Sequence, residues 1–216
     1  MNPEYLAPGA YVEESRSGPQ RIVGTPTAVT AFIGATPWGR ARQPVMVTSF
    51  GDFTRRFGGL SRSLPLGHAV RLYFANGGRR ACVVRSPAHL TLAGLQRALT
   101  ALATEREIGL LQLPALTDQR LLAVALAFAE RRRLFLIVDS PERATTAELT
   151  RFASVLGGNP AGQFAAVYHP WVVVADSPSQ SRAMTVAPGG AVAGLIARTD
   201  ETRGVWKAPA GAEAKL

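Results

Sequence analysis

The feature that most constrains the fold is an alternation of short apolar runs and longer amphipathic segments between residues 81 and 176. The apolar runs have strand length and lack polar alternation, whereas the segments between them repeat apolar residues every three or four positions. Strands that are apolar on both faces belong to parallel sheets covered by helices on both sides. The predicted order is strand ACVVR, helix LAGLQRALTALATE, strand IGLLQL, helix QRLLAVALAFAERR, strand LFLIVD, helix ELTRFASVL, and strand FAAVY continuing into WVVVA. The sequence therefore predicts an α/β fold with a mostly parallel central sheet flanked by helices.

The chain outside this region divides by composition. Residues 1–26 are rich in Pro, Gly and polar residues and predict an extended amino-terminal arm. Residues 27–80 predict a small lead-in with strands TAVTAFIGA and PVMVTS and two helices. Residues 81–180 form the predicted α/β core domain, and residues 181–216 form a Gly/Pro/Ala-rich carboxy-terminal segment with one further helix, AVAGLIARTD.

Three local signals fix helix boundaries. Ser49 stands three residues before Asp52, a spacing typical of a helix start. Thr145 and Glu148 have the spacing of a capping box. Gly77 follows the amphipathic stretch that ends in YFAN and is expected to close that helix in a left-handed conformation. The Gly-Gly pair therefore predicts a helix cap and a corner before strand ACVVR.

The basic character of the chain raises the question of a polyanionic partner. The formal net charge is +9 and the sequence pI is about 10.9. The cations are scattered arginines without the aromatic interleaving that stacks bases, so a charged protein interface is favoured over nucleic-acid binding. Interface arginines and solvated helix surface both remain open for the pairs and the triplet, namely Arg55, Arg56, Arg79, Arg80, Arg131, Arg132 and Arg133.

No complete catalytic, cofactor or metal motif occurs. A phosphate loop needs a lysine and a hydroxyl after its glycines, and the Gly-Gly pair has neither and precedes a strand rather than a helix. Asp139 and Asp176 follow apolar strands, where α/β enzymes carry catalytic groups. Each is followed by Ser and Pro, so termination of the strand is favoured over catalysis at both positions. A strand-end carboxylate enzyme is the alternative of another class.

Isolated histidines and a single cysteine exclude several kinds of site. His68, His89 and His169 have no neighbour at metal-ligand spacing, so no metal site is predicted. Cys82 is the only cysteine, which excludes an intrachain disulfide, and its apolar strand predicts a buried thiol. We expect no cofactor.

Five stretches, in chain order, resemble blocks of contractile tail sheath proteins. That family includes the sheaths of contractile phage tails, R-type pyocins and phage-derived contractile injection systems. The stretches are PGAYVEE, TAVTAFIGATPWGRARQPVMVTSFGDFTRRFGG, AVRLYFANGGRRACVVR, AAVYHPWVVVAD and VAPGGAVAGLIARTDETRGVWKAPA. The resemblance covers nearly the whole chain.

The resemblance implies a non-enzymatic structural subunit. Such subunits stack as hexameric rings in a helical sheath around an inner tube and contract to drive the tube through a target envelope. The implied partners are other copies, the inner tube protein, the baseplate and a tail terminator or cap, with no nucleic acid and no stable membrane insertion. The implied location is the bacterial cytoplasm during assembly and then the virion tail or injection particle. The arm would add a strand to neighbouring subunits through Tyr11, Val12, Glu13 and Glu14.

The sequence departs from the family pattern at its end. Sheath proteins usually continue after GVWKAPA into a second half with a carboxy-terminal arm and a tube-contacting helix, whereas this sequence stops at AGAEAKL. We therefore expect a truncated sheath core, a short sheath-like accessory subunit, or one piece of a split sheath as in type VI secretion systems.

Overall fold

The computed structural model describes residues 28–177, 180–212 and 214–215, without the side chains of residues 176, 177 and 180–182. The arm segment Tyr11–Glu14 lies outside the described residues. The strands are β1 (Val29–Gly34), β2 (Pro44–Val47), β3 (Ala81–Arg85), β4 (Ile108–Gln112), β5 (Phe135–Asp139), β6 (Ala165–Tyr168), β7 (Val172–Ser177) and β8 (Gln180–Val186). The helices are α1 (Phe50–Phe57), α2 (Pro65–Ala75), α3 (Leu92–Leu102), α4 (Gln119–Arg132), α5 (Thr146–Gly157) and α6 (Gly189–Arg203), with a 3₁₀ turn at Pro160–Phe164.

A six-stranded sheet with the order β2-β3-β1-β4-β5-β6 forms the centre of the fold. All neighbours pair in parallel except β2, which runs antiparallel to β3. The mostly parallel sheet predicted from the sequence is confirmed. The sheet also extends beyond residues 81–176, because β1 is buried between β3 and β4.

Helices cover both faces of the sheet, as its apolar strands require. One face presents Ala31, Ile33, Cys82 and Val84, among others, to α3, α4 and α5. The other presents residues such as Phe32 and Val83 to α1, α2 and α6. The two apolar clusters are separated only by the sheet itself, so burying its strands stabilises both layers at once.

The predicted helix starts agree with the structure. The Ser49 hydroxyl accepts a hydrogen bond from the Asp52 amide at 3.1 Å. Both hydrogen bonds of the Thr145–Glu148 capping box are formed. Helix α4 has the bounds that its apolar periodicity predicts, and the Asp118 carboxylate caps it by accepting from two backbone amides.

The Gly-Gly corner after α2 closes the helix and starts the sheet. Gly77 has φ +106°, the left-handed region that favours glycine, and the Gly78 amide donates back to the Tyr73 carbonyl at 2.9 Å. The Tyr73 hydroxyl donates to the Arg80 carbonyl at 2.7 Å. The predicted helix cap and corner are therefore confirmed.

The last predicted strand is wrong in one respect. FAAVY and WVVVA do not form one strand, because β6 ends at Tyr168 and β7 starts at Val172. Pro170 lacks the amide hydrogen that would continue the ladder. Strand β7 instead pairs with β8, which the sequence did not predict, in a separate antiparallel hairpin.

Helix α6 packs very closely on α2. A Cβ on Gly194 would lie 2.4 Å from the Tyr73 carbonyl oxygen, and one on Gly190 would lie 2.2 Å from the Ala69 carbonyl oxygen. Only residues without a Cβ allow the backbones to approach so closely. The predicted carboxy-terminal helix is confirmed, and it is longer than AVAGLIARTD at both ends.

Candidate functional site

Asp139, the strand-end carboxylate singled out by the sequence, is completely buried, with 0% exposure. Its Oδ1 accepts from the Gly189 amide at 2.8 Å, and its Oδ2 accepts from the Ala115 amide at 2.9 Å and from Gln112 Nε2 at 2.8 Å. Burial raises the pKa of Asp139, and the three hydrogen bonds oppose that rise. Since Gly189 is the first residue of α6, Asp139, at the end of β5, supplies a cap to a helix whose own N-cap, Pro188, offers none.

The second strand-end carboxylate, Asp176, lies in β7, and its side chain is not among those that the structure describes. The predicted strand-edge histidine, His169, contacts the residue after Asp139. Ser140 Oγ lies 2.9 Å from His169 Nδ1, and the Trp171 indole donates to the Ser140 carbonyl at 2.8 Å. Sequence reasoning missed this serine–histidine contact, because its partners are separated by 29 positions and belong to no motif. The contacts of His169 and Trp171 with Ser140 hold the segment between β6 and β7 against the end of β5.

The cavities nearby do not open onto Asp139. One of about 200 Å³ lies between the start of α2 and the β7–β8 hairpin and is lined by residues that include His68, Trp171 and Met184. A groove of about 420 Å³ runs between the starts of α4 and α5, beside Arg143 and Arg151. Because Asp139 is fully buried and lines neither space, a substrate in these cavities would not contact its carboxylate.

The single cysteine and the possible metal-binding side chains bear on the remaining kinds of site. Cys82 is buried, as predicted, and burial raises its pKa to about 12. Within residues 28–177, 180–212 and 214–215, no group of three or more His, Cys, Asp or Glu residues is arranged to hold a metal ion. In that same part of the chain, no helix is long and apolar enough to cross a membrane.

Five of the seven candidate interface arginines share one edge of the sheet. Arg79 and Arg80 directly precede β3, and the triplet Arg131–Arg133 directly precedes β5, so all five lie at the amino-terminal ends of parallel strands. Arg79 pairs with Glu201 at 2.7 Å and Arg80 pairs with Glu107 at 2.7 Å. We call this the amino edge and the opposite one the carboxyl edge.

The arginine triplet divides into three different environments. Arg132 donates to the Ala103 carbonyl and, at 2.8 Å, to the Glu105 carbonyl, and so fixes the end of α3. Arg133 has φ +55° and its guanidinium lies 5.5 Å from the centre of the Phe164 ring. The exposed Arg131 side chain forms no ion pair or hydrogen bond with any described residue.

Arg55 and Arg56 occupy a different place. They lie in the last turn of α1 and both contact Asp52, at 3.3 and 2.9 Å. Since Phe57 accepts a hydrogen bond from Trp38, which follows the end of β1, this helix end lies toward the carboxyl edge. The arginines that looked equivalent in the sequence therefore form two separate surfaces.

The fold defines a class of known proteins. None of the protein-family models matches the chain, and no curated protein matches it. Among solved structures, the contracted helical sheath of the anti-feeding prophage matches with a TM-score of 0.68 and 27% sequence identity, over 93% of this chain and 54% of that one. The contracted sheath complex of the extracellular contractile injection system PVC matches with a TM-score of 0.65 and 24% identity, over 96% of this chain and 54% of that one.

A more distant match shares the fold alone. The crystal structure of a sheath tail protein from Desulfitobacterium hafniense matches with a TM-score of 0.57 at 12% identity, over 88% of this chain and 62% of that one. The solved structures that the chain matches are therefore those of contractile sheath proteins. Among them, the chain is similar in both sequence and fold to the anti-feeding prophage sheath, and it spans about half the length of that protein. The resemblance drawn from the sequence is confirmed.

Proposed function

We propose that the chain is a structural subunit of a contractile tail or injection-system sheath. The observation that carries this proposal is the match to the anti-feeding prophage sheath, at 27% identity and a TM-score of 0.68 over 93% of the chain. Its neighbours are sheath components rather than enzymes, and the buried Asp139 caps α6, both of which support a non-enzymatic role.

In the proposed role, subunits stack as hexameric rings in a helix around an inner tube. Head-to-tail contacts that do not close on themselves build such helical assemblies. The work of contraction would come from differences in contact free energy between two arrangements of the same subunits. The partners would be other copies, the inner tube, the baseplate and a terminator or cap. Assembly would take place in the bacterial cytoplasm before the subunit functions in a virion tail or injection particle.

Strand addition is the proposed link between subunits. The arm residues Tyr11, Val12, Glu13 and Glu14 would pair with an open strand edge of a neighbour. Among the described strands, β2 and β6 end the large sheet, and the β7–β8 hairpin has no third strand. A two-stranded hairpin is marginally stable alone, so it gains most from an added strand. The exposed arginines would contribute polar contacts at these interfaces.

Electron microscopy tests the assembly role. The chain is co-expressed with its genomic neighbours and particles are imaged by negative stain. Tubes or ring stacks that contain the chain support a sheath-building subunit. If complete sheaths form without the chain, it is instead a sheath-like accessory or split-sheath subunit, or a protein that does not belong to the sheath.

Removal of the arm tests the strand-addition step. We expect deletion of residues 1–20 to abolish tube formation while circular dichroism still shows the α/β domain, since the described strands of the central sheet all lie between Val29 and Tyr168. Unchanged assembly would contradict the arm hypothesis without affecting the sheath assignment.

A further inference from the structure

The amino edge carries more positive charge than its own carboxylates neutralise. Among the described residues, five carboxylates lie at this edge, and two of them, Glu107 and Glu201, each pair with one arginine. The other three are Glu105, Glu130 and Asp200. They stand against seven described cations, namely Arg79, Arg80, Arg106, Arg131, Arg132, Arg133 and Lys207. Further cations remain exposed there: Arg106 in the loop before β4, and Arg131 and Arg133 before β5. Because β3, β1, β4 and β5 are adjacent, at about 4.8 Å per strand, these cations extend along roughly 14 Å of the edge.

An exposed apolar segment follows the helix that ends at this edge. Helix α6 starts at the carboxyl edge under Asp139 and ends at the amino edge, where Glu201 meets Arg79. Directly after it, Val205 is 64% exposed and Trp206 is 80% exposed, and Lys207 follows. Trp and Arg are among the residue types most enriched at energetically dominant positions of protein interfaces.

The described surface of a second copy is a poor complement for this edge. The carboxyl edge carries Arg40, Arg42, Arg120 and Arg143. Two of the carboxylates there, Asp118 and Glu148, already accept hydrogen bonds from the backbone at helix starts. Stacking the amino edge of one copy on the carboxyl edge of another would therefore place cations against cations.

We propose that the amino edge, defined by Arg79, Arg106, Arg131, Arg133, Trp206 and Lys207, is a docking surface for an acidic segment of a different protein. The segment would be extended, would carry several carboxylates and would place one apolar side chain on Trp206. About five residues of extended chain span the roughly 14 Å of the edge. The inference stands on this surface alone and holds whether or not the chain builds a sheath.

The test is a titration of the full chain, labelled with fluorotryptophan, with a short glutamate–leucine peptide. Fluorine NMR separates Trp38, Trp171 and Trp206, and Trp206→Phe assigns the relevant signal. We expect the Trp206 signal to shift saturably while the signal of Trp38, at the carboxyl edge, stays in place. Added salt should weaken binding, since the contacts are between exposed charges. The glutamine–leucine analogue of the peptide should not bind.

Charge variants localise the site. Arg131→Gln combined with Lys207→Gln should lower the affinity about fivefold or more, whereas the matched control, Arg55→Gln combined with Arg56→Gln, should leave it within about twofold. Equal losses in both variants would overturn the proposal, since binding would then follow net charge.

Two further probes decide the class of occupant. Equal affinity for a short DNA duplex would make the edge a nucleic-acid surface and would overturn the proposal. Tighter binding of the peptide PGAYVEES than of the glutamate–leucine peptide would assign the surface to the chain's own arm and would also overturn it.

Discussion

Substitution of Gly194 by alanine measures how closely α6 packs on α2. The new Cβ would lie 2.4 Å from the Tyr73 carbonyl oxygen, whereas ordinary contacts of a Cβ start at 3.4 Å, so the two helices must separate by about 1 Å. Overpacking of this kind costs about 1–3 kcal/mol. The higher helix propensity of alanine returns up to about 1 kcal/mol. We expect the free energy of unfolding to fall by about 1–2 kcal/mol, and Tm to fall by roughly 2–8 °C for a chain of this size.

Gly157→Ala is the matched control. Gly157 is the last residue of α5, and a Cβ there would have no atom within 4 Å. The Gly157→Ala variant has the higher helix propensity of alanine without a steric clash, so we expect its Tm to rise by about 1–4 °C. Differential scanning calorimetry of the two variants and the unchanged chain gives the comparison. If Gly194→Ala stabilised the chain as much as Gly157→Ala does, the close approach of α2 and α6 would be wrong.

Three further predictions concern buried and capping groups. Burial raises the pKa of Asp139 above its value of 3.8 in the unfolded chain, so the folded chain holds this proton more tightly. The free energy of unfolding that the group contributes is therefore greatest at low pH, and it declines as pH rises from about 4 through the raised pKa. Urea unfolding from pH 4 to 7 should show that decline in the unchanged chain relative to Asp139→Asn, and parallel curves would refute it. Cys82, with a pKa of about 12, should react with iodoacetamide at pH 8 only as fast as the chain unfolds, and fast labelling in native buffer would contradict its burial. Thr145→Ala removes the capping box of α5 and should lower the free energy of unfolding by about 1 kcal/mol in urea titrations, with the surface substitution Thr146→Ala as a control that leaves the cap intact.

The parts of the fold that the sequence predicted depend on neighbouring residues. Three features that were predicted lie within a few turns of chain, so a short stretch of sequence contains all the residues that form them. They are the Thr145–Glu148 box, the Ser49 cap and the apolar stripe of α4. The place of β1 at the centre of the sheet depends on pairing with Ala81–Arg85 and Ile108–Gln112, and no local pattern encodes that order.

The candidate site shows the same division. Asp139 was found from its position after an apolar strand, but its function as a cap depends on Gly189, fifty positions away. Likewise, the pairing of Arg79 with Glu201 joins residues on different elements. Residue type identified the charged groups, and only the three-dimensional arrangement separated the amino edge from the carboxyl edge.

The burial of the Asp139 carboxylate also makes the folding of β4, β5 and α6 depend on one another. It can be buried at low cost only when the Gly189 and Ala115 amides and the Gln112 side chain are all in place. The ends of β4 and β5 and the start of α6 must therefore become native together. A nascent chain that has emerged only as far as β8 would hold a charge without one of its donors. The sheet is thus expected to acquire its full stability only after α6 has been synthesised.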